Sequence, residues 1–199
     1  GEDTLSLHDA LPIFARPLGS AVFGHYGDKI GRKTTLVVAL LTMGISTVSI
    51  GFLPSYASIG IAAPILLMLC RFGQGVGLGG EWGGAVLLVI ENAPPHKRAW
   101  YGMFPQLGAP IGLVLSGGTF LLLTNSMSSQ DFLEYGWRIP FIASSLLVLV
   151  GFYIRLKITE TAAFETAKKE QEEVKLPFVT LLKSYRKELL FGTFAAVTN

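Results

Sequence analysis

Hydrophobic residues occur in long blocks along the chain, and short polar segments separate these blocks. Four uncharged stretches cover residues 36–57, 58–70, 102–130 and 139–154. A helix that crosses a bilayer needs about 20 largely apolar residues, and these stretches supply them. None of the blocks has the strict alternation of apolar and polar residues that a membrane barrel strand requires. The pattern therefore predicts membrane-spanning helices.

Five complete spans and the start of a sixth follow from this pattern. The predicted spans cover residues 11–24, 36–54, 61–88, 101–124 and 137–156, and residues 188–199 begin the sixth. Turn-forming residues separate them at Pro54-Ser55, Pro94-Pro95 and the polar segment 125–129. We therefore expect an all-α membrane protein whose N-terminal bundle occupies residues 14–156.

Composition supports this class of protein. Charged residues make up 15% of the chain, against roughly 25% in soluble domains, and the mean hydropathy is +0.50. The formal net charge of +2 does not indicate nucleic-acid binding, because the basic residues lie in short blocks between the apolar spans. The single cysteine, Cys70, cannot form a disulfide within the chain.

The basic residues predict the orientation in the membrane. Of the 16 Lys and Arg residues, 13 fall in the loops 24–35 and 89–100 or between residues 155 and 187, all on one side. The opposite side holds only Arg138. Cytoplasmic loops carry the excess of Lys and Arg in membrane proteins. We therefore expect these two loops and a central loop at residues 157–187 to face the cytoplasm.

The first of these loops has a recognisable pattern, "GHYGDKIGRK". It resembles the loop between the second and third helices of the major facilitator superfamily, and the matching residues are Gly24, Gly27, Asp28, Gly31, Arg32 and Lys33. The resemblance implies a conformational latch between two helix bundles. A hydrophilic turn that merely follows the positive-inside bias is the alternative interpretation.

The third predicted span carries the strongest candidate site, in the string "RFGQGVGLGGEWGGA". It holds Arg71, Gln74 and Glu81 among many glycines. A charge facing lipid at this depth would cost at least about 2.5–3.5 kcal/mol, so these side chains should face a cavity or another helix. The glycines recur four apart at 73/77, 75/79, 79/83 and 80/84, a spacing that permits close helix packing.

Three charged residues inside the spans are candidates for transport or proton coupling. Arg71 and Glu81 are ten residues apart, so they lie about 15 Å apart along one helix and cannot pair directly. Glu81 is either a proton-binding site or a carboxylate that is hydrogen-bonded to neighbouring helix ends or lies near the cytoplasmic interface. Arg16 either faces the substrate path or extends its cation towards the interface.

Further strings narrow the resemblance. "ARPLGSAVFGHYGDKIGRK", "GQGVGLGGEWGGA", "GWRIPF" and "ETAAFE" are similar to the metabolite–proton symporters, which include shikimate, α-ketoglutarate, citrate and proline/betaine carriers. Arg71 and Gln74 fit the R-x-x-Q-G motif of the superfamily's fourth helix, which the resemblance links to proton coupling. The resemblance implies a carrier of twelve helices. This chain would then hold the second to sixth helices and the start of the seventh, without the C-terminal half.

The resemblance implies a function as well. It predicts symport of protons with a small polar metabolite, an organic acid or a zwitterion, across the bacterial inner membrane, with no enzyme activity, cofactor, metal or nucleic acid. An antiporter or uniporter of the same fold, a membrane sensor or scaffold, and an inactive fragment are the alternatives. Residues 1–13 lack a basic leader segment, and we expect them to be foreign to the native protein.

Overall fold

The computed structural model describes the backbone of residues 7–157, with the side chains of residues 11–27 and 29–157. The long helices are α1 (Leu7–Ile30), α2 (Arg32–Gly51), α4 (Ala62–Asn92), α5 (Arg98–Ser126) and α7 (Arg138–Lys157). Short helical turns connect them at α3 (Tyr56–Ile59), a 3₁₀ turn (Pro95–Lys97), α6 (Ser129–Asp131) and a π-helical turn (Phe132–Gly136). The described part of the chain is helical without a β-strand, which confirms the predicted all-α fold.

The predicted loop at residues 24–35 is helical on both sides of a single residue. α1 runs to Ile30 and α2 begins at Arg32, so only Gly31 separates the two helices. Gly31 has a φ of 106°, a backbone conformation that glycine adopts without the Cβ clash of other residues. The Thr35 hydroxyl donates a hydrogen bond to the Gly31 carbonyl at 2.8 Å. The polar pattern identified the reversal correctly, but one glycine is sufficient to make it.

Helix α4 lies between α1 and α2, and its glycines permit close contact with both neighbours. Gly75, Gly79 and Gly80 face α1, where a Cβ at position 79 would collide with the backbone of Arg16. Gly73, Gly77 and Gly84 face α2, and a Cβ at position 77 would lie 2.8 Å from the Ala39 carbonyl oxygen. The predicted small-residue spacing therefore serves two packing faces of the same helix.

The outer surface of the bundle is strongly apolar. α5 and α7 contain no buried residue, and side chains such as Leu113, Val114 and Leu122 are about seven-tenths exposed. Four described helices are long and apolar enough to cross a membrane: Arg32–Gly51, Ala62–Asn92, Pro95–Ser126 and Arg138–Lys157. α1 carries four charged residues and is not among these four. Hydrocarbon is a suitable environment for such a surface.

Each long helix overlaps one predicted span, with different ends; α2, for example, covers Arg32–Gly51 where the span 36–54 is predicted. The predicted span 61–88 is continued by α4 to Asn92, and the predicted span 101–124 corresponds to α5, which begins at Arg98. α1 begins at Leu7, ahead of the predicted start at residue 11. A helix of 31 residues is about 46 Å long, so α4 exceeds the bilayer core of about 30 Å. The predicted central loop after residue 157 and the next span lie outside the described residues.

Candidate functional site

The Arg71 side chain belongs to a polar chain that crosses from α4 to α2. Its Nη1 donates to Oε1 of Gln74, one helical turn later, at 3.4 Å. Nε2 of Gln74 donates to Oγ1 of Thr47 on α2 at 2.7 Å. Arg71 lies about 14 Å along the axis from the start of α4, near the middle of a bilayer. The cation is therefore linked to α2 through Gln74.

Glu81 forms an ion pair with Arg155 in the last turn of α7. The two side chains are 22% and 16% exposed. Glu81 Oε1 accepts from Arg155, while Glu81 Oε2 is buried without a hydrogen-bond partner among the described residues. Glu81 thus obtains from α7 the charge partner that its own helix cannot provide. Glu81 is thus held by the end of a neighbouring helix.

A second charge cluster ties three helices at one end of the bundle, which we call the basic end. It comprises Gly31 with the start of α2, the end of α4 and the end of α7. Arg32 forms an ion pair with Glu91 at 2.5 Å, which joins α2 to α4. Lys33 Nζ donates to the carbonyl oxygen of Leu156 at 2.8 Å, which joins α2 to α7. The predicted latch residues therefore hold three helix ends together.

The remaining latch residues lie on the α1 side of the same end. Gly27 is buried beside Thr35, whereas a Cβ at Gly24 would meet nothing within 4 Å. A cavity of about 300 Å³ opens between α1, α2 and α4, and its lining includes Gly24, Gly27, Arg32 and Trp82. The backbone of Asp28 lies in α1, but its side chain is outside the described residues.

Arg16 and Trp82 are two further polar side chains of the bundle. Arg16 is exposed on α1, and its backbone packs against Gly79 of α4. Trp82 Nε1 donates to Oε1 of Gln106 at 3.0 Å, which links α4 to α5 next to Pro105. Arg16 does not join the Arg71 chain. Of the four candidates for transport or proton coupling, Arg71 and Gln74 thus share one hydrogen-bonded chain, Glu81 forms an ion pair, and Arg16 is an exposed cation.

Sequence reasoning missed the partners of these residues. Thr47, Glu91 and Arg155 hold Gln74, Arg32 and Glu81 respectively. Charge offered one usable signal, because Glu91 is the only acidic residue in the predicted loop 89–100 and faces the same side as Arg32. Thr47 offered none, since a threonine in an apolar span is ordinary. In the described part of the chain no group of His, Cys, Asp or Glu residues could hold a metal ion.

The fold matches a solved membrane transporter. The partially occluded inward-open conformation of the xylose transporter XylE from E. coli superposes with a TM-score of 0.74 at 19% identity. The match covers 84% of this chain and 40% of that one. XylE is a member of the major facilitator superfamily. The class defined by the fold is therefore a helical bundle of the major-facilitator type, which confirms the prediction.

The family follows from the sequence match. Residues 4–181 match the family described as sugar (and other) transporter. Because this match covers most of the chain, the chain belongs to that family.

Curated relatives are named as transporters. The chain is 59% identical over 185 residues to the inner membrane metabolite transport protein YhjE of Escherichia coli, covering 93% of this chain and 42% of that protein. It is 46% identical over 160 residues to the E. coli shikimate transporter, covering 80% and 36%. It is 44% identical over 156 residues to the Salmonella typhimurium proline/betaine transporter, covering 78% and 31%. The chain spans less than half the length of each, and none is named as an enzyme.

Proposed function

We propose that this chain is the N-terminal part of a secondary transporter of the bacterial inner membrane. The carrier moves a small polar metabolite, an organic acid or a zwitterion, together with protons. The observation that carries the proposal is the identity of 44–59% to proteins named for metabolite, shikimate and proline/betaine transport. Shikimate, proline and betaine, the substrates named for two of these relatives, each carry a carboxylate, and this common group defines the proposed substrate class.

The Arg71 network supports recognition of that carboxylate. A guanidinium carries five N–H donors in a planar fork that suits a carboxylate, and it keeps its charge at any working pH. Arg71 is near the depth at which secondary transporters bind substrate, and Gln74 holds it against α2. We assign Arg71 and Gln74 to the substrate path, and the exposed Arg16 to its entrance.

Glu81 supports proton coupling because its ionisation is tied to a second helix. When Glu81 is ionised, the pair with Arg155 holds α4 to α7, and protonation would weaken that attraction. The carboxylate oxygen Oε2 has no hydrogen-bond partner among the described residues and is the position for the proton. A proton moving down 100 mV releases about 2.3 kcal/mol, enough to drive accumulation.

The experiment is uptake by cells that express the complete reading frame and lack their own carriers. Labelled shikimate, proline and glycine betaine are offered at pH 6 and pH 7.5, with and without a protonophore. We expect one of these substrates to accumulate, faster at pH 6, and the protonophore to abolish accumulation. Accumulation that resists the protonophore would favour an antiporter, equilibration without accumulation a uniporter, and no uptake of any substrate a sensor or scaffold.

The latch is tested in the same cells. Arg32→Ala and Asp28→Asn should reduce the uptake rate more than they reduce the amount of carrier in the membrane, since the charges bias one of two helix arrangements. Exposed Lys97→Ala in the 3₁₀ turn is the control for loss of a basic charge at the same end. Parental uptake by both latch variants would mean that these residues only make the turn hydrophilic and do not act as a latch.

A further inference from the structure

We propose that Thr47 is a positioning residue for the substrate site, because its hydroxyl fixes the orientation of the Gln74 amide and thereby the position of the Arg71 guanidinium. The consequence for substrate affinity rests on the proposed function. The hydrogen-bonded chain from Thr47 through Gln74 to Arg71, which we call the relay, does not rest on that function. It can be tested without transport.

The direction of each hydrogen bond follows from the number of protons available. Thr47 Oγ1 has one proton, which it donates to the carbonyl oxygen of Met43 at 2.8 Å. Towards Gln74 the hydroxyl oxygen can therefore only accept. The group that approaches it at 2.7 Å must be the donor end of the amide, Nε2. The Gln74 carbonyl oxygen is then directed at Arg71, whose Nη1 lies 3.4 Å away.

The opposite orientation of the amide would be unfavourable at both ends. It would place the amide NH₂ against the guanidinium, which has no acceptor, and the amide oxygen against a hydroxyl whose proton is already used. Without the Thr47 oxygen, only the contact with Arg71 would favour one orientation of the Gln74 amide. Thr47 thus adds the second contact that fixes the amide oxygen as an acceptor for the cation.

Glycines on α4 make this contact possible. A Cβ at Gly73 would lie 3.3 Å from the Cβ of Ser46, the residue before Thr47. A Cβ at Gly77 would lie 2.8 Å from the backbone nitrogen and the Cβ of Met43. The turn of α2 from Met43 to Thr47 therefore packs directly on the α4 backbone, which brings a short threonine side chain within reach of Gln74.

The transport test compares three variants of the complete carrier. Thr47→Val removes the hydroxyl and should raise KM for the carboxylate substrate about tenfold while Vmax changes less than about twofold, because the Gln74 amide loses the hydrogen bond that orients it towards Arg71. Thr47→Ser restores the hydroxyl and should return KM to near the parental value. Thr42→Val is the matched control, because Thr42 makes the same bond to a carbonyl four residues earlier, that of Val38, from a half-buried position on α2.

A second measurement does not depend on transport. In purified carrier, Thr47→Val and Arg71→Ala should shift the thermal unfolding midpoint non-additively, although Thr47 reaches Arg71 only through Gln74. The coupling should vanish when both changes are made in a Gln74→Ala background, because the relay is then absent. Additive shifts in the parental background, or coupling that survives Gln74→Ala, would overturn the proposal.

The two measurements separate the possible failures. If the parent takes up no carboxylate substrate, the proposed function fails and the unfolding coupling alone decides the role of Thr47. If the parent transports but Thr47→Val keeps the parental KM, or if Thr47→Ser fails to restore KM, the positioning role is wrong while the transport function stands.

Discussion

At the scale of single residues, Gly31 determines how α1 and α2 are joined. Its φ of 106° reverses the chain in one residue, which leaves Arg32 and Lys33 in the first turn of α2. From there they reach Glu91 on α4 and the last turn of α7. A longer connection would allow these side chains more freedom. The positive φ thus places both cations where they bond to α4 and α7, as the proposed latch requires.

Replacing Gly31 by Ala should destabilise the protein, because a Cβ is strained at this φ by about 1–3 kcal/mol. Gly24→Ala is the matched control: Gly24 lies in α1, and its added Cβ would meet nothing within 4 Å. Alanine is favoured over glycine inside a helix by about 1 kcal/mol, so this control should be neutral or stabilising. Thermal unfolding of the purified carrier in detergent measures both. An unfolding midpoint for Gly31→Ala at or above the parental value would contradict the strain argument.

At the scale of helices, α4 is the central element of the described bundle. Its glycines bring α1 and α2 close, and its acids bind cations from other helices at two levels. The pair of Glu81 with Arg155 lies about 15 Å along the α4 axis from Glu91. Any sliding of α4 against α2 and α7 must therefore break or exchange both ion pairs. The two ion pairs thus oppose movement of α4 at two levels along its axis.

We expect Glu81→Ala and Arg155→Ala each to lower the free energy of unfolding. Removing one partner of a buried pair costs about 3–5 kcal/mol, and this partly exposed pair should lose less. The double variant should lose less than the sum of the single variants, with a coupling of about 0.5–3 kcal/mol. Additive losses in equilibrium unfolding would mean that the contact contributes no stability.

The proposed proton-binding role of Glu81 can be tested separately from its contribution to stability. Glu81→Gln cannot ionise, so it should keep exchange of substrate across the membrane but lose accumulation driven by a proton gradient. Arg71→Ala should lose both, because the cation that attracts the carboxylate is gone. Counterflow and gradient-driven uptake in proteoliposomes measure the two activities. Parental accumulation by Glu81→Gln would make the residue structural and place the proton site elsewhere in the carrier.

At the scale of the whole molecule, charge distinguishes the two ends of the bundle. The basic end gathers Arg32, Lys33 and Arg155, whereas Arg138 lies at the opposite end and donates to the Leu53 carbonyl at 3.1 Å. Arg138 also stacks on the Trp137 ring at 5.2 Å, as an anchor at a membrane interface would. The positive-inside bias therefore predicts that the basic end faces the cytoplasm.

Cysteine labelling tests this orientation. In a cysteine-free carrier, a cysteine at Ser126 or Ser129 should react with an impermeant maleimide on intact cells. A cysteine at His96, exposed in the 3₁₀ turn of the basic end, should react only after permeabilisation. Thr166, in the predicted central loop, should behave like His96. The reverse pattern would overturn the orientation derived from the basic residues.

The sequence by itself determined the fold class and identified the candidate polar residues. Uncharged blocks of sufficient length specify membrane helices, since hydrocarbon excludes unpaired charge. Glycines four apart indicated that the 61–88 span packs closely, and the structure shows α4 doing so on two faces. The motif around Gly31 located the reversal between α1 and α2. These are local properties, which depend on the composition and period of one segment and can be recognised without knowing its neighbours.

Only the tertiary structure decided which residues are partners. Glu81 with Arg155, Arg32 with Glu91, and Gln74 with Thr47 are separated by 74, 59 and 27 positions in the chain. No period or motif links such positions, because a helix presents its side chains all around its axis and the register between two helices is set by how their surfaces fit. In α4 that register depends on glycines that remove a side chain from the contact. The sequence could therefore identify the charges, but the packing of α4 against α2 and α7 determined their pairing.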